Sequence, residues 1–236
     1  MKKTIGILGG MGPEATEYMF DLIIKNTKVS EDQDHIPVII YSNPKVPHRT
    51  NAIFNQGPSP TPALTEGVRL LNQAGADIIV VPCITAHYFL PEVAEAVGFS
   101  YLSLLDESLK WAREHIPALK KVGLVSSTGT LVSGLFHNVY KAAGIEVIGP
   151  EEEEQESVME AIYGPQGIKA GFTVGKSKEM IVNAARILIG RGAEAIIAGC
   201  TEIPLVLKPE DIAVPLIEPM EIVAKASILK AGYELK

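Results

Sequence analysis

The chain has 236 residues, 47% hydrophobic and 21% charged, enough for one large domain or two lobes that each bury a core. Its formal net charge of −7 supplies no basic surface of the kind a phosphate backbone requires, so no nucleic-acid partner is expected. No apolar run approaches the roughly 20 residues that cross a bilayer, and the stretch after Lys2 and Lys3 breaks at Gly9-Gly10, too early for a signal peptide. The chain therefore reads as cytoplasmic, with no membrane partner.

Strand and helix signals alternate along the whole length. Strands are predicted at residues 4–8, 37–41, 77–81, 100–102, 121–125, 146–148, 195–198 and 214–216. Helices are predicted at 13–27, 63–73, 90–97, 105–115, 134–143, 152–163, 177–190 and 219–232. The strands are short, rich in Val and Ile, and mostly lack polar alternation, which suits parallel sheets buried on both faces. Strands alternating with helices give an α/β fold class. Residues 43–62 are rich in Pro, Asn and His and too long for an ordinary connection, so they read as a binding loop. The acidic run at 151–156 reads as a first helical turn that complements the helix dipole.

The chain repeats itself. Cys83 and Cys200, its only cysteines, each end an apolar strand, at Val80-Val81-Pro82-Cys83 and Ile197-Ala198-Gly199-Cys200. The same spacing relates Ile5-Gly6-Ile7-Leu8 to Val122-Gly123-Leu124-Val125. Glycine is a common helix stop, and the pairs Ala74-Gly75, Ala143-Gly144 and Gly192-Ala193 recur before strands in both halves. Two similar lobes follow from this duplication. They comprise residues 1–102 with 216–236, and 103–215, each a mostly parallel sheet flanked by helices, with an active-site cleft expected between them.

Two thiols at equivalent strand ends suit a reaction that removes a proton from one face of a carbon and returns one to the other. At strand C-termini near helix N-termini a thiol is expected to have a lowered pKa and to act as a base. A disulfide is not expected in a cytosolic chain, and no CxxC or HxxxH spacing suggests a metal. The turn Gly9-Gly10-Met11-Gly12-Pro13 matches neither GxGxxG nor a P-loop, and is expected to bring backbone N–H groups to a small anion. Ser126-Ser127-Thr128-Gly129-Thr130 is expected to form a second such cradle, with Thr128 at the site.

Pro82-Cys83-Ile84-Thr85-Ala86-His87, Gly199-Cys200-Thr201-Glu202-Ile203-Pro204, the opening glycine turn and Pro47-His48-Arg49-Thr50 together resemble the aspartate/glutamate racemase family. The likeness is to its aspartate racemase and broad-specificity branch. Residues 162–171 match a further motif. The resemblance covers essentially the whole chain. It implies a homodimeric, cofactor-independent racemase acting on aspartate, glutamate or a related amino acid. It also implies a last helix that crosses back onto the first lobe. Carried over by motif, Cys83 and Cys200 are the acid/base pair. Arg49 and Lys169 bind a side-chain carboxylate or steady substrate charge, and Met11, Thr85, Thr201 and Glu202 line the site. Glu202, as in the aspartate branch, stands where the glutamate racemase branch usually has His. Ile84 stands where the aspartate branch usually has Asn, which removes an amide donor and bears on substrate choice. A maleate isomerase-like or hydantoin racemase-like enzyme, and a non-catalytic small-molecule-binding protein, remain alternatives.

Overall fold

A computed structural model describes residues 2–236. The chain divides into two compact units, one made of Met1–Glu107 and Met220–Lys236, the other of Ser108–Pro219. In the first unit, strands β1 (Ile5–Gly9), β2 (Val38–Ser42), β3 (Ile78–Val80) and β4 (Tyr101–Leu102) form a parallel sheet in the order β2-β1-β3-β4. Its helices are α1 (Pro13–Asn26), α2 (Arg49–Ile53), α3 (Thr61–Gln73) and α4 (Leu90–Val97). Helix α5 (Leu104–His115) carries the chain into the second unit.

The second unit repeats the plan. Strands β5 (Lys121–Val125), β6 (Glu146–Ile148), β7 (Ala195–Ala198) and β8 (Leu216–Ile217) are all parallel, in the order β6-β5-β7-β8. Helices α6 (Thr128–Ser133), α7 (Leu135–Ala142), α8 (Glu152–Tyr163) and α9 (Lys176–Gly190) flank them. Registers match as well as orders. Ile5 pairs with Ile78 in one sheet and Val122 with Ala195 in the other, each pair related to the other by the cysteine spacing. Helix α10 (Pro219–Lys230) belongs to the first unit, where the Lys3 N–H donates to Ala231 and Thr27 bridges Leu235.

The central strands β1, β3 and β7 are buried throughout, as expected of parallel strands covered on both faces. Each fully buried Ile or Leu in them contributes about 1.5–3 kcal/mol over its exposed state. The α3 and α9 helices close alike. Gly75 and Gly192 both take φ +91°, and the following Ala76 and Ala193 N–H groups reach back to Leu71 and Leu188 at 3.0 Å. That is the left-handed stop anticipated from the Gly-Ala pairs.

Two expectations need correction. Residues 43–62 are not one open loop, because Arg49–Ile53 forms helix α2, started by the His48 imidazole accepting from the Asn51 N–H at 3.4 Å. Ser126–Thr130 is not simply a turn, because Thr128 opens α6, which Gly134 ends at φ +68° before α7 begins. The acidic run does start a helix. Glu151 and Glu154 cap α8 reciprocally, and Glu154 takes both arms of Arg191.

Candidate active site

Cys83 lies just beyond β3, free and buried. Its Sγ is 3.4 Å from the hydroxyl of Thr85, a neutral neighbour. Ile84, also buried, leads into a 3-10 turn at Thr85–Tyr88 that carries His87 back under the cysteine. The Leu104 N–H donates to His87 Nε2 at 3.1 Å, so Nδ1 holds the ring proton and donates to the Cys83 carbonyl at 2.9 Å. Burial pushes the His87 pKa down to about 4 against the opposing pull of that carbonyl, so the ring is neutral near pH 7. His87 therefore pins the Cys83 backbone to the start of α5.

Cys200 lies just beyond β7, equally free and buried, but its neighbour is ionic. Its thiol donates to Glu202 Oε2 at 2.9 Å, and the Thr201 hydroxyl donates to the same oxygen at 3.2 Å. Glu202 Oε1 takes the ammonium of Lys169, which stands on the 3-10 turn Ile168–Ala170 with its Nζ 5.5 Å from the centre of the Tyr163 ring. Burial first, and the Glu202 charge second, push the Cys200 thiol pKa well up, with Lys169 opposing. This overturns the expectation of a lowered thiol pKa at this strand end. Burial and the carboxylate two residues on reverse the direction that a helix terminus alone would give.

The two expected anion cradles are already engaged by the protein itself. The Gly10 N–H donates to the Thr16 hydroxyl at 2.8 Å. At φ +90°, Gly10 lies so close to the Asn43 backbone that a Cβ would meet its carbonyl carbon at 2.3 Å. These glycines serve contacts within the chain. Met11 is buried, and its carbonyl accepts from Arg49 Nη2 at 3.0 Å. Arg49 Nη1 donates to the Val46 and Pro47 carbonyls at 3.3 and 3.1 Å, and its buried Nε has no partner. At the other turn, the Thr128 N–H meets Met159 Sδ at 3.2 Å, while Gln155 donates to the Ser126 carbonyl and to the Thr128 hydroxyl. Gln155 Oε1 is a buried acceptor without a partner, which disfavours an anion beside it.

A model of the Asp/Glu/Hydantoin racemases matches residues 8–227. This chain belongs to that family. Membership places it among racemases, that is, among isomerases. It is 28% identical over 231 residues to the broad specificity amino-acid racemase RacX of Bacillus subtilis (strain 168), covering 95% of this chain and 96% of that protein. It superposes on the Picrophilus torridus aspartate racemase with a TM-score of 0.85 at 28% identity, over 99% and 96% of the two chains. An aspartate racemase homologue from Pyrococcus horikoshii OT3 gives 0.77 at 28% identity, over 98% and 100%.

Of the residues singled out by sequence, Cys200, Thr201, Glu202 and Lys169 form one bonded cluster within the second unit. In the first unit Thr85 touches Cys83, and Met11 touches Arg49. Thr128 is held by Gln155, which sequence reasoning passed over. The signal was available, since Gln155 is the one amide within a run of glutamates, at a position whose side chain turns inward. Among the described residues, no three His, Cys, Asp or Glu side chains gather as a metal set, and no helix is long and apolar enough to cross a membrane.

Proposed function

We propose that this chain is a cofactor-independent, two-base amino-acid racemase whose substrate is drawn from aspartate, glutamate and related amino acids. The observation that carries the reading is the pair of free, buried thiols following strands β3 and β7, which are equivalent in order and register. One cysteine, as thiolate, takes the α-proton and leaves a carbanion whose charge spreads into the α-carboxylate. The other, as thiol, delivers its proton to the opposite face of the same carbon. The two sulfurs have then exchanged protonation states, and no redox partner is needed for balance.

In this reading Cys83, with the Thr85 hydroxyl 3.4 Å from its Sγ, acts as base when Cys200 acts as acid, and the roles reverse in the other direction. Cys200 is kept protonated at rest by burial and by Glu202. Met11, Arg49, Ile84, Thr85, Thr128, Lys169, Thr201 and Glu202 supply the surroundings of the substrate, and preorganised N–H and cationic groups stabilise the developing enediolate. The reading includes a cytoplasmic homodimer, which sedimentation at working concentration would check. The decisive test is α-proton exchange in deuterated water, followed by chiral analysis, across all common amino acids with dialysed protein. Racemisation without added pyridoxal phosphate or metal is the expected result. Exchange that requires either would defeat the cofactor-free mechanism, and no exchange with any amino acid would defeat the activity.

A further inference from the structure

The two cysteines differ in what holds their backbone. The Cys200 carbonyl accepts from the Ile203 N–H at 3.0 Å, a bond within the main chain. The Cys83 carbonyl accepts instead from a side chain, His87 Nδ1 at 2.9 Å. One cysteine spacing on from His87 stands Pro204, whose side chain has no polar atom, so duplication alone does not account for the histidine. His87 is only 4% exposed, its Nε2 accepts from the Leu104 N–H at 3.1 Å, and the Tyr101 ring meets it edge-on. Cys83, His87, Tyr101 and Leu104 all lie in the first unit.

Resting on the racemase reading, we infer that His87 is a positioning residue for proton transfer at Cys83, acting through the cysteine's backbone. The Cys83 N–H donates to the Val81 carbonyl at 2.7 Å, so the peptides on both sides of the Cys83 Cα are held. Rotation about χ1 is then the freedom left to the sulfur, and the Thr85 hydroxyl lies 3.4 Å from it. Proton transfer at carbon depends steeply on such placement, and an error of about 1 Å costs about 10²-fold. A neutral imidazole donates at one nitrogen and accepts at the other, which an apolar side chain filling the same space cannot do. Keeping it neutral in burial weakens the fold in acid, a cost that a side chain present only for packing would not carry.

Asparagine and glutamine divide the two bonds of the ring. Asn brings its amide near the place of Nδ1 and Gln near that of Nε2, so His87→Asn still donates to the Cys83 carbonyl and His87→Gln still accepts from Leu104. Each substitution would be made in Cys200→Ser, where Cys83 alone exchanges the α-proton, and in Cys83→Ser, where Cys200 alone does. Exchange in deuterated water would be read at saturating concentrations of the best amino acid from the racemisation panel. His87→Gln should slow exchange through Cys83 by about tenfold or more and change exchange through Cys200 little, and His87→Asn should recover most of the loss. Equal slowing through both thiols, unfolding included, would make His87 a residue of the fold alone and overturn the inference while leaving the racemase reading standing. Unchanged exchange in His87→Gln, or a glutamine variant as slow as or faster than the asparagine one only where asparagine fails, would overturn it in the same way. Wild-type racemisation without exchange in either single-cysteine parent would also overturn it, because Cys83 would then have no step of its own. Absence of racemisation by the wild-type protein with every amino acid would bring down the racemase reading and this inference with it.

Discussion

The ends of β3 and β7 present the same atoms in the same backbone setting with different surroundings. At Cys83 the sulfur lies 3.4 Å from the neutral hydroxyl of Thr85, and the neighbouring histidine bonds the backbone. At Cys200 the thiol itself donates to a buried carboxylate at 2.9 Å, with an ammonium behind it. Duplication of a fold preserves strand order and register because the core enforces them. It leaves the side chains just past the strands free to diverge. The position two residues past the cysteine is Thr85 in one unit and Glu202 in the other, and burial with the Glu202 charge raises the Cys200 thiol pKa.

The comparison breaks most visibly if either sulfur is removed. Cys83→Ser and Cys200→Ser should each lower racemisation by about 10²–10⁴-fold, the usual worth of a positioned acid or base. Each variant should still exchange the α-proton of one enantiomer only, and the enantiomer should differ between them. Identical exchange specificity in both would rule out opposite faces.

A second contrast lies in acid. His87 is held neutral, with its pKa down at about 4 from 6.5. The unfolded chain binds a proton there that the folded chain does not, so stability is full above pH 6.5 and falls as pH drops toward 4, by about 3 kcal/mol. Urea midpoints across that range should show the slope, and His87→Leu should flatten it while weakening the protein at neutral pH. In alkali the direction belongs to Cys200. Its folded pKa lies above the ordinary 9.0, so the stability it contributes is complete below that value and is lost as pH rises through the folded pKa. Glu202→Gln in a Cys83→Ser background should bring the remaining thiol's titration to lower pH, read by ultraviolet thiolate absorbance. A titration that moved upward would show that Lys169, rather than Glu202, governs this sulfur.

The smallest effects should come from the hydroxyls. Thr85→Val and Thr201→Val each remove one contact of a kind worth about 1 kcal/mol, so rates should change by about fivefold. Thr201→Val should be the larger, because its partner is charged.

Much of this was readable in the sequence, for identifiable reasons. Buried parallel strands announce themselves as short Val- and Ile-rich runs, and strands were placed at 121–125, 146–148 and 195–198 as found. Helices α2 and α6 escaped because five or six residues are too few to show a period. The cysteines stood out because the chain repeats. The bond from Cys200 to Glu202 did not, since adjacency in a Cys-Thr-Glu string does not reveal where a side chain turns. Nor could the glycine turn disclose its tight approach to Asn43, a residue far along the chain.

The way the chain visits its two units has a consequence for how the protein is made. The second unit is one continuous stretch, Ser108–Pro219, so every residue of its sheet has been synthesised before the first unit receives its last piece. The first unit must wait for α10 and for the backbone bonds that tie Ala231, Glu234 and Leu235 to Lys3, Lys28 and Thr27. On the ribosome the order of completion is therefore reversed relative to the order of the genetic message. The later-encoded sheet can close as an independent nucleus, while the earlier one stays unfinished until the final helix emerges.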